Sequence, residues 1–347
     1  MCKMNNVRIR EVREEALYNP LILTHAVPFT QAFFYGEWQE GMGRRVRRFV
    51  GESASGPVIF FQTIEYPLPL GKSYVYIPYG PITMVPRGES LMKTLSEFVL
   101  EAFRGTHAIF VRFDFSPTLM ESEMPLAEKY FRAGDAFSYR GSSYQPRAEW
   151  VIDLTRPEEE ILKRMDKKNR YGIRVAEENK IEARIIDKNL RSHFDIFYRL
   201  IQETAERDRF REHPKLYYER IFESCEKRGC GFLVESLYKG EPATSDFIVW
   251  YEDTATWVFG GSSTKARDVS PSYLAQWSAM RYAKKIGCAS YSFGGVSEPP
   301  FVEQSWGGLS RFKKRFGGRA LLHSAFFDVV LNPLWYRLYM VQKRIRG

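Results

Sequence analysis

The chain has 347 residues, of which 44% are hydrophobic and 15% aromatic, and its formal net charge is +9. Its length predicts two domains, because single cores seldom grow beyond roughly 250–300 residues. The apolar content excludes wholesale disorder. The excess of basic over acidic residues favours anionic partners such as nucleic acid, phosphorylated metabolites or a membrane surface, but it does not indicate which of these binds.

Cysteine spacing and hydropathy predict the cellular compartment of the protein. The cysteines have neither CxxC pairs nor zinc spacing; they are Cys2, Cys225, Cys230 and Cys288. We therefore expect reduced thiols in a cytoplasmic protein without a bound metal. The charged N-terminus is unlike a signal peptide, and no apolar run reaches the roughly 20 residues of a membrane span.

The first half of the chain predicts a strand, strand, helix, strand order. Residues 57–66 and 73–80 are rich in β-branched and aromatic residues and predict neighbouring strands. Residues 89–103 place apolar side chains on one helical face. A further strand follows at 107–115.

The second half repeats this order. Three strands are predicted within 231–261, with turns at 239–240 and 252–253. A helix follows from 271 to 286, with Ser270 as its N-cap and Pro271 in its first position. The last strand covers 289–295. The repeat of element order predicts a duplicated α/β unit, with sheets flanked by helices.

A basic segment lies between the halves. Its pattern predicts one helix from Glu158 to Glu178, starting with acidic residues at the positive end of the helix dipole. Six cations follow: Lys163, Lys167, Lys168, Arg164, Arg170 and Arg174. Such a run is either a solvated face or part of an anion-binding groove or RNA contact.

The repeated unit invites comparison with acetyltransferases of the GNAT type. In those enzymes a glycine-rich loop before the helix offers backbone amides to the pyrophosphate of coenzyme A. Here Pro271 removes an amide donor at the helix start. This sequence therefore predicts a related fold with a different donor, and no cofactor.

Other common catalytic motifs are missing from the sequence. The five histidines are scattered without metal-ligand spacing, and no Walker loop, GxSxG or HExxH occurs. Phosphate-loop, serine-hydrolase and zincin chemistries therefore lose support.

An ordered set of segments resembles the FemABX family. The set covers the chain from about residue 25 to the C-terminus and consists of "YIPYGPI", "ILKRMDKKNRYGIRVAEENKIEAR", "ETAERDRFREHPKLYYERI", "WVFGGSS", "SYLAQWSAMRYAKKIGCASYSFGGV" and "GLSRFKKRFGG". FemABX proteins are non-ribosomal peptidyltransferases, which move an amino acid from aminoacyl-tRNA to the stem peptide of a peptidoglycan precursor. The acceptor is a lipid-linked precursor (lipid II) or a UDP-muropeptide.

The resemblance implies a fold of two tandem GNAT-like domains with mixed, mainly antiparallel sheets. We expect the first domain at 1–147, completed by the C-terminal segment 318–347, and the second at 148–317. Since no long charged coiled-coil insertion occurs, the chain resembles the compact members of the family, which lack a helical arm.

The reaction explains why a lysine lies among phenylalanines near the C-terminus. When the stem-peptide amine attacks the aminoacyl ester, a negatively charged tetrahedral oxygen develops and needs stabilisation. Lys313 matches the family's Phe-Lys lysine, so the resemblance implies a catalytic role for it. Without the family, "LSRFKKRFGG" is more typical of a strand or turn end with packed rings and solvated cations.

The resemblance also implies binding residues. The candidates for substrate binding are Tyr79, Arg207, His213, Tyr217 and Phe312. The candidates for tRNA binding are Lys163, Lys167, Arg170 and Arg174, which share one face if 158–178 is a single helix.

Three positions depart from the family pattern. Met84 stands where an acidic residue is expected, Gln39 where a lysine is expected, and His213 where compact relatives place an arginine. These departures leave room for a changed acceptor.

The tail from Phe326 mixes aromatic and basic residues and predicts a helix starting near Pro333. The helix either packs on the first domain or also lies at the inner membrane face as an interfacial helix. Two alternatives to tRNA-dependent transfer remain at this stage, neither involving DNA: a coenzyme A-dependent N-acyltransferase, and a non-catalytic protein that binds RNA or membrane.

Overall fold

The computed structural model describes residues 7–22, 28–116, 122–133, 145–299, 307–324 and 326–346. The chain divides into two compact units, one formed by 1–147 with 322–347 and the other by 148–321. Cys225, Cys230 and Cys288 are buried free thiols, and Cys2 lies outside the described residues.

In the first unit, strands are interspersed with helices along the chain. Its elements up to residue 133 are β1 Arg8–Val12, α1 Glu15–Ile22, α2 Phe33–Gly41, β2 Arg45–Ser53, β3 Gly56–Pro67, β4 Ser73–Ile77, β5 Ile82–Thr83, α3 Glu89–Ala102, β6 Ala108–Asp114, α4 Met124–Tyr130 and β7 Arg132–Ala133. A short 3-10 helix covers Phe29–Gln31.

The second unit has a similar build. Its elements are β8 Ala148–Asp153, α5 Glu158–Arg164, α6 Lys167–Glu178, β9 Glu182–Ile186, α7 Phe194–Asp208, α8 Lys215–Arg228, β10 Gly231–Tyr238, β11 Glu241–Tyr251, β12 Thr254–Ser262, α9 Pro271–Lys285, β13 Ser290–Gly295, α10 Gly307–Lys314 and β14 Arg319–Leu322. Short 3-10 helices cover Leu190–His193 and Thr264–Val269. The chain then returns to the first unit with β15 Phe326–Val330 and α11 Pro333–Arg346.

Each unit contains one mixed sheet. The first sheet has the order β1-β2-β3-β4-β6-β15-β7, with β5 paired to β3, and the second has the order β14-β8-β13-β12-β11-β10-β9. In the first sheet β4 and β6 run parallel, and in the second β12 and β13 do; the other recorded pairs are antiparallel. The expected duplicated α/β fold with mainly antiparallel sheets is confirmed.

Local sequence explains the strand connections. The β10–β11 turn has positive φ at Lys239 and Gly240, the backbone of a two-residue hairpin turn. Glu252 also has positive φ, between the paired Tyr251 and Thr254. Both predicted turns are therefore confirmed.

Apolar faces hold the helices against the sheets. In the first unit α3 buries Leu91, Leu95 and Val99 against β6 residues such as Val111. In the second, α9 buries a similar face against β10 and β11. Burial of a Leu or Val side chain contributes about 1.5–3 kcal/mol, so these faces fix which side of each sheet the helix covers.

The predicted single helix from Glu158 to Glu178 is wrong. Two helices, α5 and α6, meet at Met165, whose ψ of 147° is extended. The Asp166 side chain accepts a hydrogen bond from the Lys168 amide and so caps α6. Asp at this position starts a new helix because it satisfies an otherwise unpaired amide.

Two further details differ from the sequence analysis. Residues 307–314 form helix α10 instead of a strand or turn end. Strand β14 belongs to the second sheet, so residues 318–321 lie with the second unit. The expected C-terminal helix is present as α11. In the part of the chain that the structure describes, no helix combines the length and apolar character needed to cross a membrane.

Candidate functional site

The parallel strands of the second unit separate part-way along their length. Their register joins Thr254 to Ser290 and Thr256 to Ser292. Beyond Thr256, β12 continues beside β11, whereas β13 pairs with β8 as far as Gly295. Where parallel strands part, the sheet has room for side chains or substrate between them.

A β-bulge decides which side chains reach this gap. Register along β12 shifts between Trp257, opposite Ile248, and Phe259, opposite Phe247. Because of the extra residue, Trp257 packs in the core beneath α9, whereas Phe259 packs on Tyr218 of α8. Bulges commonly re-aim side chains near functional sites in this way.

Lys313 reaches the gap from α10. Its side chain is only 6% exposed, and its Nζ donates a hydrogen bond to the Gly295 carbonyl at the end of β13, at 2.7 Å. The same nitrogen lies 5.4 Å from the centre of the Trp257 ring, within cation–π range.

Burial lowers the pKa of Lys313 to about 7, and the negative charge of Glu149 opposes this fall. Glu149 also accepts a hydrogen bond from the Ser292 hydroxyl, at 2.8 Å. A lysine with a pKa near neutrality can hold or release a proton at physiological pH, which is typical of functional sites.

The neighbouring Lys314 has a different environment. It bonds to the Ser297 carbonyl at 2.7 Å and forms an ion pair with Glu298. Its side chain is 30% exposed. The two adjacent lysines therefore provide a matched pair, one buried at the strand gap and one tied to a loop.

Aromatic rings enclose the buried lysine. Phe312 packs on Tyr273 of α9, with ring centroids 5.1 Å apart, and on Trp257 at 6.4 Å. Phe316 is fully buried against Phe293 of β13. These rings hold α10 against the open ends of the strands and exclude water from Lys313.

A buried carboxyl also lies near Trp257. Burial raises the pKa of Asp246 to about 7, and side-chain hydrogen bonds from Gln276 and Trp257 oppose that rise. An added Cβ at Gly260 would come within 2.2 Å of the Asp246 Oδ1 and 2.7 Å of the Trp257 ring. Only glycine therefore fits between the carboxyl and the indole.

Sequence reasoning missed Trp257, Asp246 and Glu149 as parts of this site. Asp246 had a signal, because a carboxylate amid the apolar stretch "SDFIVW" must be buried and partnered. Trp257 lay inside a quoted motif, but its direction depends on a bulge that the sequence does not reveal.

Three predicted substrate residues lie at the far end of β12. Arg207 donates to the Ser262 carbonyl at 2.8 Å. The rings of His213 and Tyr217 are 4.2 Å apart and both lie near Phe259. The structure thus brings these three together around β12, on the α7 and α8 side of the sheet, whereas Phe312 and Lys313 lie on the α9 side.

Tyr79 belongs to the first unit, just after β4. Its φ is +51° and its ring stacks on His323 at 3.9 Å. Its amide donates to Asp114 at 2.7 Å, and its hydroxyl donates to the Pro146 carbonyl at 2.6 Å. Tyr79 is therefore nearly completely buried and rigidly held.

The structure also shows where two departures from the family pattern lie in the first unit. Gln39 is buried in α2 and accepts a hydrogen bond from Arg44. Met84 lies just after β5, where its amide bonds to Val58. Neither position carries the charge that the family pattern would supply.

The predicted tRNA-binding cations divide between two helices. Lys163 ends α5, whereas Lys167, Arg170 and Arg174 lie on α6. Arg170 donates to the Lys163 and Met165 carbonyls, so it caps α5, and Arg174 pairs with Glu178 at 3.4 Å. The single shared face that we expected does not exist in that form.

The described residues contain no group of three or more His, Cys, Asp or Glu side chains that could hold a metal ion.

Comparisons with known proteins agree with the fold. The family described as "Acetyltransferase (GNAT) domain" matches residues 163–314. The crystal structure of FemX superposes with a TM-score of 0.81 at 18% identity, covering 96% of this chain and 100% of that one. A lipid II:glycine glycyltransferase of Staphylococcus epidermidis is 22% identical over 285 residues, which is 64% of this chain and 67% of that protein.

These relatives and the FemX superposition support membership of the FemABX family. The lipid II:glycine glycyltransferase of Staphylococcus aureus is likewise 22% identical, over 58% of this chain and 63% of its own length. Because the GNAT acyltransferase domain matches and these relatives are named glycyltransferases, the chain is a transferase. The GNAT match covers β12, α9, β13 and the whole of α10, the elements around the strand gap.

Proposed function

We propose that this FemABX protein transfers an amino acid from aminoacyl-tRNA to the stem-peptide amine of a lipid-linked or UDP-linked muropeptide. The observation that carries the proposal is the buried Lys313 at the gap between β12 and β13. The curated relatives are named lipid II:glycine glycyltransferases, so glycine is the first donor to test and lipid II the first acceptor.

The chemistry needs little from the protein beyond position and charge. The acceptor amine attacks the ester carbonyl carbon, a C–N bond forms, and the carbonyl oxygen becomes an oxyanion. The C–O bond to the terminal ribose then breaks, and the ribose hydroxyl leaves with a proton that originates from the amine. Each step balances without an oxidant, a reductant or a further cofactor.

Lys313 is suited to stabilise the oxyanion. In a site that excludes water a fixed cation acts more strongly on developing charge than it would in solvent. Its pKa of about 7 rises when an anionic donor approaches, since a nearby negative charge favours the ammonium form. Donor binding therefore favours the charged form of the lysine.

Trp257 and Gly295 position the ammonium group. The indole face and the carbonyl hold Nζ at the strand ends, where an ester could enter between β12 and β13. When substrate arrives, the hydrogen bond to Gly295 can be exchanged for one to the oxyanion.

The helix start beside this gap argues against coenzyme A. Pro271 occupies the first position of α9 and Ser270 has a left-handed φ of 59°. Proline offers no amide hydrogen, so this end lacks part of the amide cluster that a pyrophosphate needs.

One experiment tests the proposal. The protein is incubated with a mixture of charged tRNAs, or separately with acetyl-CoA, and with lipid-linked or UDP-linked muropeptide, and product masses are measured. We expect a mass increase of one amino acid residue or more, dependent on charged tRNA. An acetylated product, or amino acid transfer that survives removal of tRNA, would contradict the proposal.

A further inference from the structure

Helix α11 has a buried aromatic side and an exposed aliphatic side. Tyr336 and Tyr339 pack on Phe110 of β6, with ring centroids 5.4 and 5.0 Å apart. Away from these rings lie four exposed aliphatic side chains: Leu334, Leu338, Val341 and Ile345, which are 67%, 52%, 55% and 79% exposed.

These four side chains form a narrow stripe, which we call the α11 stripe. Since successive helical residues turn by about 100°, spacings of four, three and four place all of them within an arc of about 60°. A solvated helix normally has polar residues in such an arc. Among the described residues, the four side chains of the α11 stripe stay largely exposed, although such a stripe normally packs on an apolar partner.

The charge around the stripe indicates what that partner is. Residues 333–347 contain four basic and no acidic residues. Arg337 is exposed, one turn after Leu334. Lys343 lies on the other side of the helix, with its Nζ 5.9 Å from the Tyr339 ring. An aliphatic stripe with an exposed arginine beside it, on a helix without acidic residues, matches the boundary of an anionic bilayer, with acyl chains below and negative headgroups alongside.

The start of the helix has the same mixed character. Trp335 is half-buried, and the Lys72 Nζ lies 5.2 Å from its ring. A cleft of about 360 Å³ opens beside it, lined among others by Lys72, Leu100, Arg104 and His107. Tryptophan and lysine with an apolar neighbour are typical of the headgroup level of a membrane.

A second copy of the chain fits this surface less well. Two copies packed symmetrically through the stripe would bring the same cations of both helices close together, and like charges at an interface oppose association. An anionic surface neutralises those cations instead.

We propose that α11 lies along the surface of an anionic lipid bilayer, with the α11 stripe in the acyl boundary and Arg337 among the headgroups. The docking itself does not depend on the proposed function. Its consequence for catalysis does: docking would favour lipid-linked over water-soluble acceptors by raising the local concentration of the former.

Vesicle sedimentation of the full chain tests the docking. We expect binding to vesicles of phosphatidylcholine with phosphatidylglycerol, and much weaker binding to phosphatidylcholine alone. Leu338→Gln with Val341→Gln should lower the partition coefficient about tenfold or more. Arg337→Gln should lower it about fivefold on anionic vesicles only.

Leu17→Gln is the matched control, because Leu17 is a 44% exposed leucine on α1 of the same unit. It should bind vesicles as the wild type does. Equal binding to both vesicle types, or unchanged binding of the Leu338/Val341 variant, would overturn the proposal. A wild-type dimer in sedimentation equilibrium that this variant converts to monomer would assign the stripe to a second copy and overturn it as well.

Activity measurements separate this inference from the proposed function. The Leu338/Val341 variant should keep wild-type turnover on a soluble UDP-muropeptide, which shows that it is folded, and lose turnover on lipid-linked acceptor in anionic vesicles. If the wild type and the variant are both inactive on every acceptor but bind vesicles as expected, the proposed function is wrong and the docking proposal stands. If turnover is normal and binding is unaffected by the variant, the docking fails.

Discussion

The two parallel strand pairs of this protein end in different ways. In the first unit the Asp114 side chain at the end of β6 binds the Tyr79 amide, two residues beyond β4, at 2.7 Å, and the Tyr76 hydroxyl at 2.8 Å. In the second unit β12 and β13 separate after Thr256, and Lys313 bonds to the Gly295 carbonyl from a helix outside the pair.

A carboxylate thus joins one pair of strand ends, whereas a lysine and an indole occupy the gap at the other. The same order of elements supplies both arrangements, so the duplicated fold alone does not distinguish the two units. The side chains at the strand ends do, and they are the reason why we propose that the reacting groups lie in the second unit. The joined pair holds Tyr79 in place, whereas in the separated pair Lys313 bonds to the end of β13.

The largest effect on stability should come from the joined pair. Asp114→Ala removes the acceptor of two buried donors, the Tyr76 hydroxyl and the Tyr79 amide, and each buried donor left unsatisfied costs about 1–3 kcal/mol. We expect the free energy of unfolding to fall by about 2–4 kcal/mol in urea denaturation.

Asp114→Asn is the control for this prediction, because it keeps the shape and one acceptor oxygen. Its loss should be clearly smaller. If both substitutions were neutral, the carboxylate would not hold the strand ends together.

In the separated pair, by contrast, the buried Lys313 should lower the free energy of unfolding. Because the pKa of Lys313 is lowered from 10.5 to about 7, its ammonium form is disfavoured in the folded state. Below pH 7 both the folded and the unfolded state carry the proton, so this destabilisation is fully present. Between about pH 7 and 10.5 only the unfolded state keeps the proton, so the contribution of this group to stability rises with pH.

Lys313→Met should therefore raise the free energy of unfolding by about 1–2 kcal/mol at pH 6, after loss of the bond to Gly295 is included. The gain should shrink toward pH 9. Lys314→Met, which removes an ion pair with Glu298, should not be stabilised. Chemical denaturation at both pH values measures this, and a gain that grows with pH would contradict the assigned environment.

The smallest expected effect is a change in tRNA binding, on substitution of cations in the basic helices α5 and α6. Changing Lys163, Lys167 and Arg174 together to glutamine should raise the Michaelis constant for charged tRNA if they contact its phosphates. Each lost contact reduces the slope of log affinity against log salt by about 0.7–0.9. Lys239→Gln, in the β10–β11 turn, should leave the slope as it is. An unchanged slope in the triple variant would make these cations a solvated face.

Sequence alone predicted the architecture well because local signals agreed with it. Apolar periodicity located α3 and α9, and the turns at 239–240 and 252–253 had the residues that such turns use. The same signals failed at residues 158–178, where basic and apolar residues continue across a break. The break depends on one extended residue, Met165, and on the Asp166 cap. Apolar periodicity is read over a window of many residues, so it does not reveal a break this short.

The site was less predictable from sequence. Lys313 came from family resemblance, and its role is still a prediction, although its burial and its Gly295 bond give that role a physical basis. Trp257 and Asp246 are brought together by a one-residue bulge and by Gly260. Such contacts are long-range or depend on register, so residue patterns along the chain carry little information about them.

The most direct test of the account compares the two adjacent lysines in single-turnover transfer from charged tRNA to a muropeptide acceptor. Loss of a cation at a developing oxyanion costs about a hundredfold or more in rate, so Lys313→Met should show at least that loss while remaining folded. Lys314→Met should stay close to the wild type. Full activity in folded Lys313→Met, or an equal loss in Lys314→Met, would contradict the assignment of transfer to the gap between β12 and β13.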